Sequence, residues 1–336
     1  MQFRKYQGLG NDFILVDARS ITPPFLTPAL VQLLCNRRYG IGADGLILAL
    51  PPCTDGDVRM QIINADGSEA EMCGNGIRCF ARFLADLDGL AGMSTWRVET
   101  PAGMIVPKLL SDGLVSVDMG EPLLKPEAIP TTIDQGDPLT EAWLSVADES
   151  LLVAAVGMGN PHAVVQVENL DEIAFEILGP ALEAHGAFPA RTNVNFVQVT
   201  TPHRLKLKVW ERGAGPTLAC GTGACATLVA THLRGACDRQ AQIELPGGVL
   251  QIEWNQQNHL LMTGAAEFVF SGSWPIGLEI DCVKQCSQGC INPEACPSAD
   301  ARADAMALLT NFSLDQLVDL ANESVEQRTL KRITGG

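Results

Sequence analysis

Two cysteines of this chain sit in nearly the same glycine-rich phrase. Met72-Cys73-Gly74-Asn75-Gly76 in the first half answers to Ala219-Cys220-Gly221-Thr222-Gly223 in the second, 147 positions later. A free thiol has a pKa of about 8.5 and is mostly protonated at neutral pH; a helix N-terminus lowers that value by presenting unpaired N–H groups and positive partial charge. Glycines directly after each cysteine let those N–H groups come close to an anion. A carboxylate held between two such helix ends would place its α-carbon between both sulfurs. One sulfur could then take the α-proton from one face while the other returned a proton to the opposite face. The N–H groups would stabilise the enolate-like charge that builds up in between. That is the chemistry of inverting a stereocentre by proton transfer.

The cysteine phrases do not stand alone. Gly10-Asn11-Asp12-Phe13 answers to Gly159-Asn160-Pro161-His162 at an offset of 149, and Glu99-Thr100-Pro101-Ala102-Gly103 to Glu244-Leu245-Pro246-Gly247-Gly248 at 145. Three matches in the same order at nearly one offset indicate an internal duplication. Its period is far too long for a solenoid repeat, so the chain is a two-copy pseudo-dimer. The elements around each cysteine follow the same plan. Phe13–Asp17, Gly45–Leu50 and Met60–Asn64 read as strands, and after Cys73 the period changes to that of a helix through Ile77, Phe80, Ala81 and Leu84. In the second copy Val153–Val156, Ala163–Val167 and the alternating Leu205–Glu211 read as strands. Ala224, Leu228, Val229 and Leu233 mark the helix after Cys220. The expected fold class is α+β: two pseudo-symmetric, strand-rich domains, each with a central helix whose N-terminus carries a cysteine. Boundaries fall at 1–125 and 151–278, with 126–150 as the connecting segment. Residues 279–336 form a C-terminal extension, a cysteine-rich coil followed by an amphipathic helix, with no counterpart in the first copy.

Bulk properties exclude some functions. The 336 residues carry 23 basic against 39 acidic side chains, a formal net charge of −16, which argues against nucleic acid and anionic membrane as partners. The start lacks the apolar core of a signal peptide, and no uncharged apolar stretch approaches membrane-spanning length. Of 11 cysteines, seven (35, 53, 73, 79, 220, 225, 237) are scattered through the duplicated body, which favours a reducing cytoplasm. A buried cysteine is most often a small core residue, and Cys35, Cys53, Cys79, Cys225 and Cys237 are read that way; the duplication sets Cys73 and Cys220 apart. Asn64, Asn193 and Asn195 have a structural reading as turn or strand-end residues, and His162 as the residue after a proline turn. Glu211-Arg212 falls at a strand end among glycines just before Cys220, a placement better explained by a site than by a solvated pair.

Assembled, these residues resemble the diaminopimelate epimerases, a family of pyridoxal-phosphate-independent amino-acid epimerases, over about residues 1–275. Asn64-Ala65-Asp66-Gly67-Ser68 leading to Glu71-Met72-Cys73-Gly74-Asn75-Gly76-Ile77-Arg78-Cys79 is similar to the family's first signature, and Glu211-Arg212-Gly213 leading to Ala219-Cys220-Gly221-Thr222-Gly223 to its second. The resemblance implies a barrel-like sheet around each central helix. It implies interconversion of LL- and meso-2,6-diaminopimelate, towards lysine and peptidoglycan, with Cys73 and Cys220 as a thiolate/thiol pair and no cofactor or metal. It further implies that backbone around Gly74, Asn75, Gly221 and Thr222 holds the reacting carboxylate. Asn64, Asn160, Asn193 and Arg212 would grip the distal end, Asn11 would line the pocket, and His162 and Glu211 would sit beside the cysteines and help set their protonation and the substrate ammonium, Glu211 also binding substrate. The partner is a small molecule, and a homodimer stays open as an alternative to a monomer.

Two features depart from the family. Gly45 stands where some members carry a glutamine that contacts substrate, and the C-terminal extension has no place in the pattern. Proline and hydroxyproline racemases share the duplicated fold, so a different amino acid is the nearest rival substrate; Arg212 flanked by three asparagines argues for a second charged end. A metal- or redox-binding role is the rival of another class, because Cys282, Cys286, Cys290 and Cys296 cluster together. Their C-x3-C-x3-C-x5-C spacing matches neither the usual zinc pairs nor the common iron–sulfur runs.

Overall fold

The computed structural model describes residues 1–275 apart from 21–25, 71–72, 91, 134–137 and 139–140. The four-cysteine cluster and the C-terminal extension beyond it lie outside the described residues.

The duplication is written in the strand ladders. In the first sheet Gln2–Gly8 pairs antiparallel with Asn11–Asp17, which runs parallel to Gly45–Leu50; Val58–Asn64 follows antiparallel, then Val98–Thr100 parallel and Gly103–Ile105 antiparallel. The second sheet repeats the order with Glu149–Gly157, Pro161–Gln166, Asn193–Thr201, Arg204–Glu211, Gln240–Leu245 and Gly248–Trp254. Both opening hairpins turn through a glycine at positive φ, Gly10 at 85° and Gly159 at 79°, which a side chain would strain.

Each sheet also takes strands from the other half of the sequence. Glu267–Ser273 pairs with Gln2–Gly8, and Val115–Asp118 pairs with Leu260–Gly264. The segment expected as a connector contains a strand of its own, Ala142–Val146, which extends the second sheet beside Glu149–Gly157. Among the described residues the sheets have eight and twelve strands in open orders, so the barrel-like arrangement takes the form of two open sheets rather than closed barrels.

Both sheets are covered on two faces, which is why several strands read as unbroken apolar runs. Phe13, Leu15 and Ile47 face the helix Gly74–Asp88, while the alternating Ile14, Val16, Leu46 and Leu48 pack against the helix Pro28–Cys35. In the second sheet Val164 and Val197 face the helix Gly221–Leu233, and Ala163, Val165, Val194 and Phe196 face the helix Phe175–Glu183. One apolar cluster joins the two cysteine-bearing helices, with Phe80, Phe83 and Leu84 of the first and Leu228 and Val229 of the second in the same core. The helix Gly74–Asp88 stops at Gly89, which caps it at φ 65°. Among the described residues no helix is long and apolar enough to cross a membrane.

Candidate active site

Cys73 and Cys220 occupy equivalent positions, each the N-cap of its helix with extended backbone (φ −141° and −132°). Each sulfur accepts the bond a serine oxygen would normally take at such a cap. Gly76 N donates to Cys73 Sγ and Gly223 N to Cys220 Sγ, both at 3.4 Å. The two helix ends abut. A Cβ added to Gly74 would lie 3.9 Å from the Cα of Gly221, and one added to Gly221 would lie 2.7 Å from Met262 Sδ. A Cβ at Gly223 would come within 2.5 Å of Asn195 Oδ1. Close packing therefore favours glycine around Cys220 and brings the first residues of the two helices side by side.

A line of amides fixes the Cys73 side. Arg78 Nη2 donates to Asn75 Oδ1 (3.0 Å), Asn75 Nδ2 to Asn11 Oδ1 (3.3 Å), and Asn11 Nδ2 to Asp44 Oδ2 (2.6 Å). Asn75 Nδ2 also reaches Ala219 O at 3.3 Å, tying the first helix end to the residue before Cys220. Cys73 Sγ lies 3.7 Å from Asn11 Oδ1. Burial pushes the Cys73 thiol up, and so does the Glu211 carboxylate; the N–H groups of Gly76 and Asn75 and the Arg78 guanidinium pull it down.

On the other side the balance differs. Burial raises the Cys220 thiol, and the Glu211 carboxylate and Cys73 add to it against the donors at Thr222 and Gly223. Glu211 ends the strand Arg204–Glu211, takes a 2.7 Å bond from Thr217 Oγ1, and lies within hydrogen-bond reach of Cys220. Its own carboxyl is raised by burial, which those two bonds oppose.

His162 is fully buried. Asn195 Nδ2 donates both to Ala163 O (3.3 Å) and to His162 Nδ1 (3.1 Å), so His162 Nε2 carries the proton and donates to Asn160 Oδ1 (2.8 Å). Burial and the nearby Arg212 charge bring its pKa down to about 3, so it is neutral at physiological pH. Asn193 Nδ2 donates to Pro161 O (3.1 Å), and its Oδ1 accepts from Arg212 N (3.0 Å). Arg212 is exposed, and its Nη1 rests on Ala190 O at 3.0 Å. Among the described residues no carboxylate pairs with that guanidinium, which leaves it open to one from solution.

The structure thus joins Cys73, Gly74, Asn75 and Asn11 to Cys220, Gly221, Thr222 and Glu211, and sets His162 and Asn193 at paired positions of two neighbouring strands, with Asn160 in the turn before the first and Arg212 in the turn after Arg204–Glu211. Asn64 is placed more loosely: exposed at a strand end, it bonds Ser68 at 3.0 Å within its own turn, next to Gly45 in the ladder. Gly45 itself has no room for a side chain, since a Cβ there would lie 2.9 Å from Ile63 O. Four further participants went unassigned in the sequence. Asn195 and Asn193 alternate on one strand and point to the same side, a signal present in the Asn-x-Asn spacing. Arg78 lies one turn after Gly74 and donates to its carbonyl at 3.1 Å. Asp44 and Thr217 left no local sign.

The fold recurs among solved structures. A probable proline racemase from Agrobacterium radiobacter K84 with bound carbonate matches with a TM-score of 0.60, at 14% identity, over 86% of this chain and 95% of that one. That likeness defines the chain as a member of this duplicated fold class. Within it, the chain belongs to the diaminopimelate epimerase family, whose family model matches residues 3–125 and 154–269. It is 57% identical over 278 residues to the diaminopimelate epimerase of Prochlorococcus marinus (strain MIT 9313), covering 81% of this chain and 92% of that protein. It is likewise 57% identical over 274 residues to that of Synechococcus elongatus, covering 81% and 98%.

Proposed function

We propose that this chain interconverts LL- and meso-2,6-diaminopimelate by proton transfer between Cys73 and Cys220, without a cofactor, in the cytoplasmic route to lysine and peptidoglycan precursors. The observation that carries the reading is the abutment of two helix N-termini, each capped by a cysteine sulfur. One thiolate removes the α-proton. The charge that passes to the carboxylate is met by N–H groups of Gly74, Asn75, Gly221 and Thr222, and the opposing thiol delivers its proton to the other face. The enzyme ends with thiolate and thiol exchanged and the stereocentre inverted. Cys220, beside the Glu211 carboxylate, is the sulfur that holds a proton in the empty site, and Cys73 is its base.

The distal end selects the substrate. Arg212 offers an unpaired, exposed guanidinium, and Asn160, Asn193 and Asn64 supply neutral polar groups around it. His162 serves by holding Asn160 rather than by carrying charge. A monocarboxylate such as proline would leave Arg212 without a partner, so this arrangement favours the larger, doubly charged amino acid. Incubating each diaminopimelate isomer in deuterated water tests the whole reading. Inversion should bring solvent deuterium to the inverted carbon; inversion with retention of the original hydrogen would exclude the two-thiol mechanism.

A further inference from the structure

One of the positions near the first cysteine where the two copies differ exchanges a charged residue for a neutral one. Arg78 lies five residues after Cys73, and the residue 147 positions on, five after Cys220, is Cys225. Arg78 is the largest fully buried side chain among the described residues, with a relative exposure of 0%. Its guanidinium donates to Gly74 O (3.1 Å), Asn75 Oδ1 (3.0 Å) and Ala265 O (3.4 Å), and lies 3.6 Å from Met262 Sδ. No carboxylate among the described residues pairs with it. A buried cation without an anionic partner is costly, and proteins retain one where an anion forms nearby.

On the two-thiol reading of the site, we infer that Arg78 is a positioning residue for the reaction: it is the buried counter-charge of the Cys73 thiolate and, through Asn75, the clamp that aligns the first helix end with the second. Three thiols lie within its electrostatic reach, those of Cys73, Cys79 and Cys225. Burial raises all three thiols, Cys79 and Cys225 to about 12, so it is position in the fold that sets one apart. Cys73 alone of the three sits on a helix N-cap with N–H donors at its sulfur. The other titratable groups acting on it are Glu211 on the second sheet, Cys220 on the facing helix and Cys79 on its own helix. Glu211 opposes ionisation of both catalytic sulfurs, whereas the positive charge is given to one.

The test is the pH dependence of cysteine alkylation by iodoacetamide, read by peptide mapping, together with the pH profile of kcat/KM. Arg78→Met should raise the alkylation midpoint of Cys73 by about one to two pH units, a ten- to hundredfold slower reaction below it. The acid limb of kcat/KM should move the same way. Arg78→Lys keeps the charge but not the fork, so the midpoint should stay near that of the natural protein while kcat falls. A merely structural arginine would lower stability without moving either midpoint, and an unchanged Cys73 midpoint in folded Arg78→Met overturns the inference. Should both variants fail to fold, the natural protein still decides. Its Cys73 midpoint must lie below that of Cys220, and a midpoint at or above it refutes the role given to Arg78. Alkylation needs no turnover, so a natural protein that shows these midpoints yet leaves diaminopimelate unchanged would count against the proposed function and not against Arg78.

Discussion

Replacing Arg212 with methionine isolates substrate recognition from folding. The side chain is exposed, and its one hydrogen bond is from Nη1 to Ala190 O; the other tie, from Arg212 N to Asn193 Oδ1, belongs to the backbone and survives the change. Stability should therefore change by no more than about 0.5 kcal/mol, as for ordinary surface substitutions. The bond lost to substrate is charge-assisted, worth about 1.5–3 kcal/mol, or about one to two decades in affinity. Because the distal carboxylate keeps its place while the α-carbon reacts, this is binding felt equally by ground and transition states. It should appear as a raised KM with kcat largely kept. Steady-state kinetics with both isomers, alongside a thermal melt, measure the two effects separately. Arg212→Lys should fall between, since a point charge replaces the guanidinium fork. An unchanged KM in a folded Arg212→Met protein would refute the assignment of the distal grip and revive a smaller amino acid as substrate.

Either Cys73→Ala or Cys220→Ala should abolish epimerisation, because removal and return of the proton occur on opposite faces; substantial inversion by one of them would defeat the two-base scheme. Oxidants should inactivate the empty enzyme through a Cys73–Cys220 disulfide that thiol reductants reverse and substrate prevents; peptide maps that leave both cysteines free in inactive protein would count against their proximity. His162 gives a sign-definite pH effect. Its folded pKa, about 3, lies below the ordinary 6.5, so the unfolded chain takes up the proton first and stability falls as pH drops below about 6.5. His162→Gln should lose less stability than the natural protein between pH 7 and 5, by about 2 kcal/mol in urea titrations, and equal losses would show that the ring is not held neutral.

The sequence disclosed what depends on short range. The Cys-Gly-x-Gly phrases, the helix period after each cysteine and the apolar strands all act through neighbours along the chain, and the strands Gly45–Leu50 and Arg204–Glu211 lie where their patterns predict. What escaped depends on partners far away. The helix Phe175–Glu183 carries Gly179 and Pro180, residues that disfavour helix locally, yet it forms because Leu178 and Leu182 bury against the second sheet and the Trp210 ring packs over Gly179. The strand Glu267–Ser273 is largely exposed and has no alternating pattern to mark it; it exists because Gln2–Gly8 offers an edge. The site was legible in the same measure, since its sulfurs and glycines announce themselves while Asn195, Asp44 and Thr217 matter only once remote strands meet.

Duplication supplies a symmetric frame, but a reaction that starts with one thiolate and one thiol needs unequal surroundings. The sequence places that inequality at two matched pairs of positions, each 147 residues apart. Glu211 beside Cys220 corresponds to Asn64 in the first half, an amide in place of a carboxylate. Arg78 behind Cys73 corresponds to Cys225, a guanidinium in place of a thiol. The Glu211 carboxylate raises both sulfurs, while the Arg78 charge acts on the first, and both keep the same helix cap and a 3.4 Å N–H donor. On the proposed mechanism, geometry common to both halves lets either sulfur exchange a proton with the same carbon. On the proposed two-thiol mechanism, the Arg78 position favours Cys73 as the sulfur ionised before substrate binds. Removing the carboxylate, as in Glu211→Gln, should lower the alkylation midpoints of both cysteines and leave that of Cys73 the lower. A Cys220 midpoint that falls below that of Cys73 would show that Glu211, and not Arg78, sets the order.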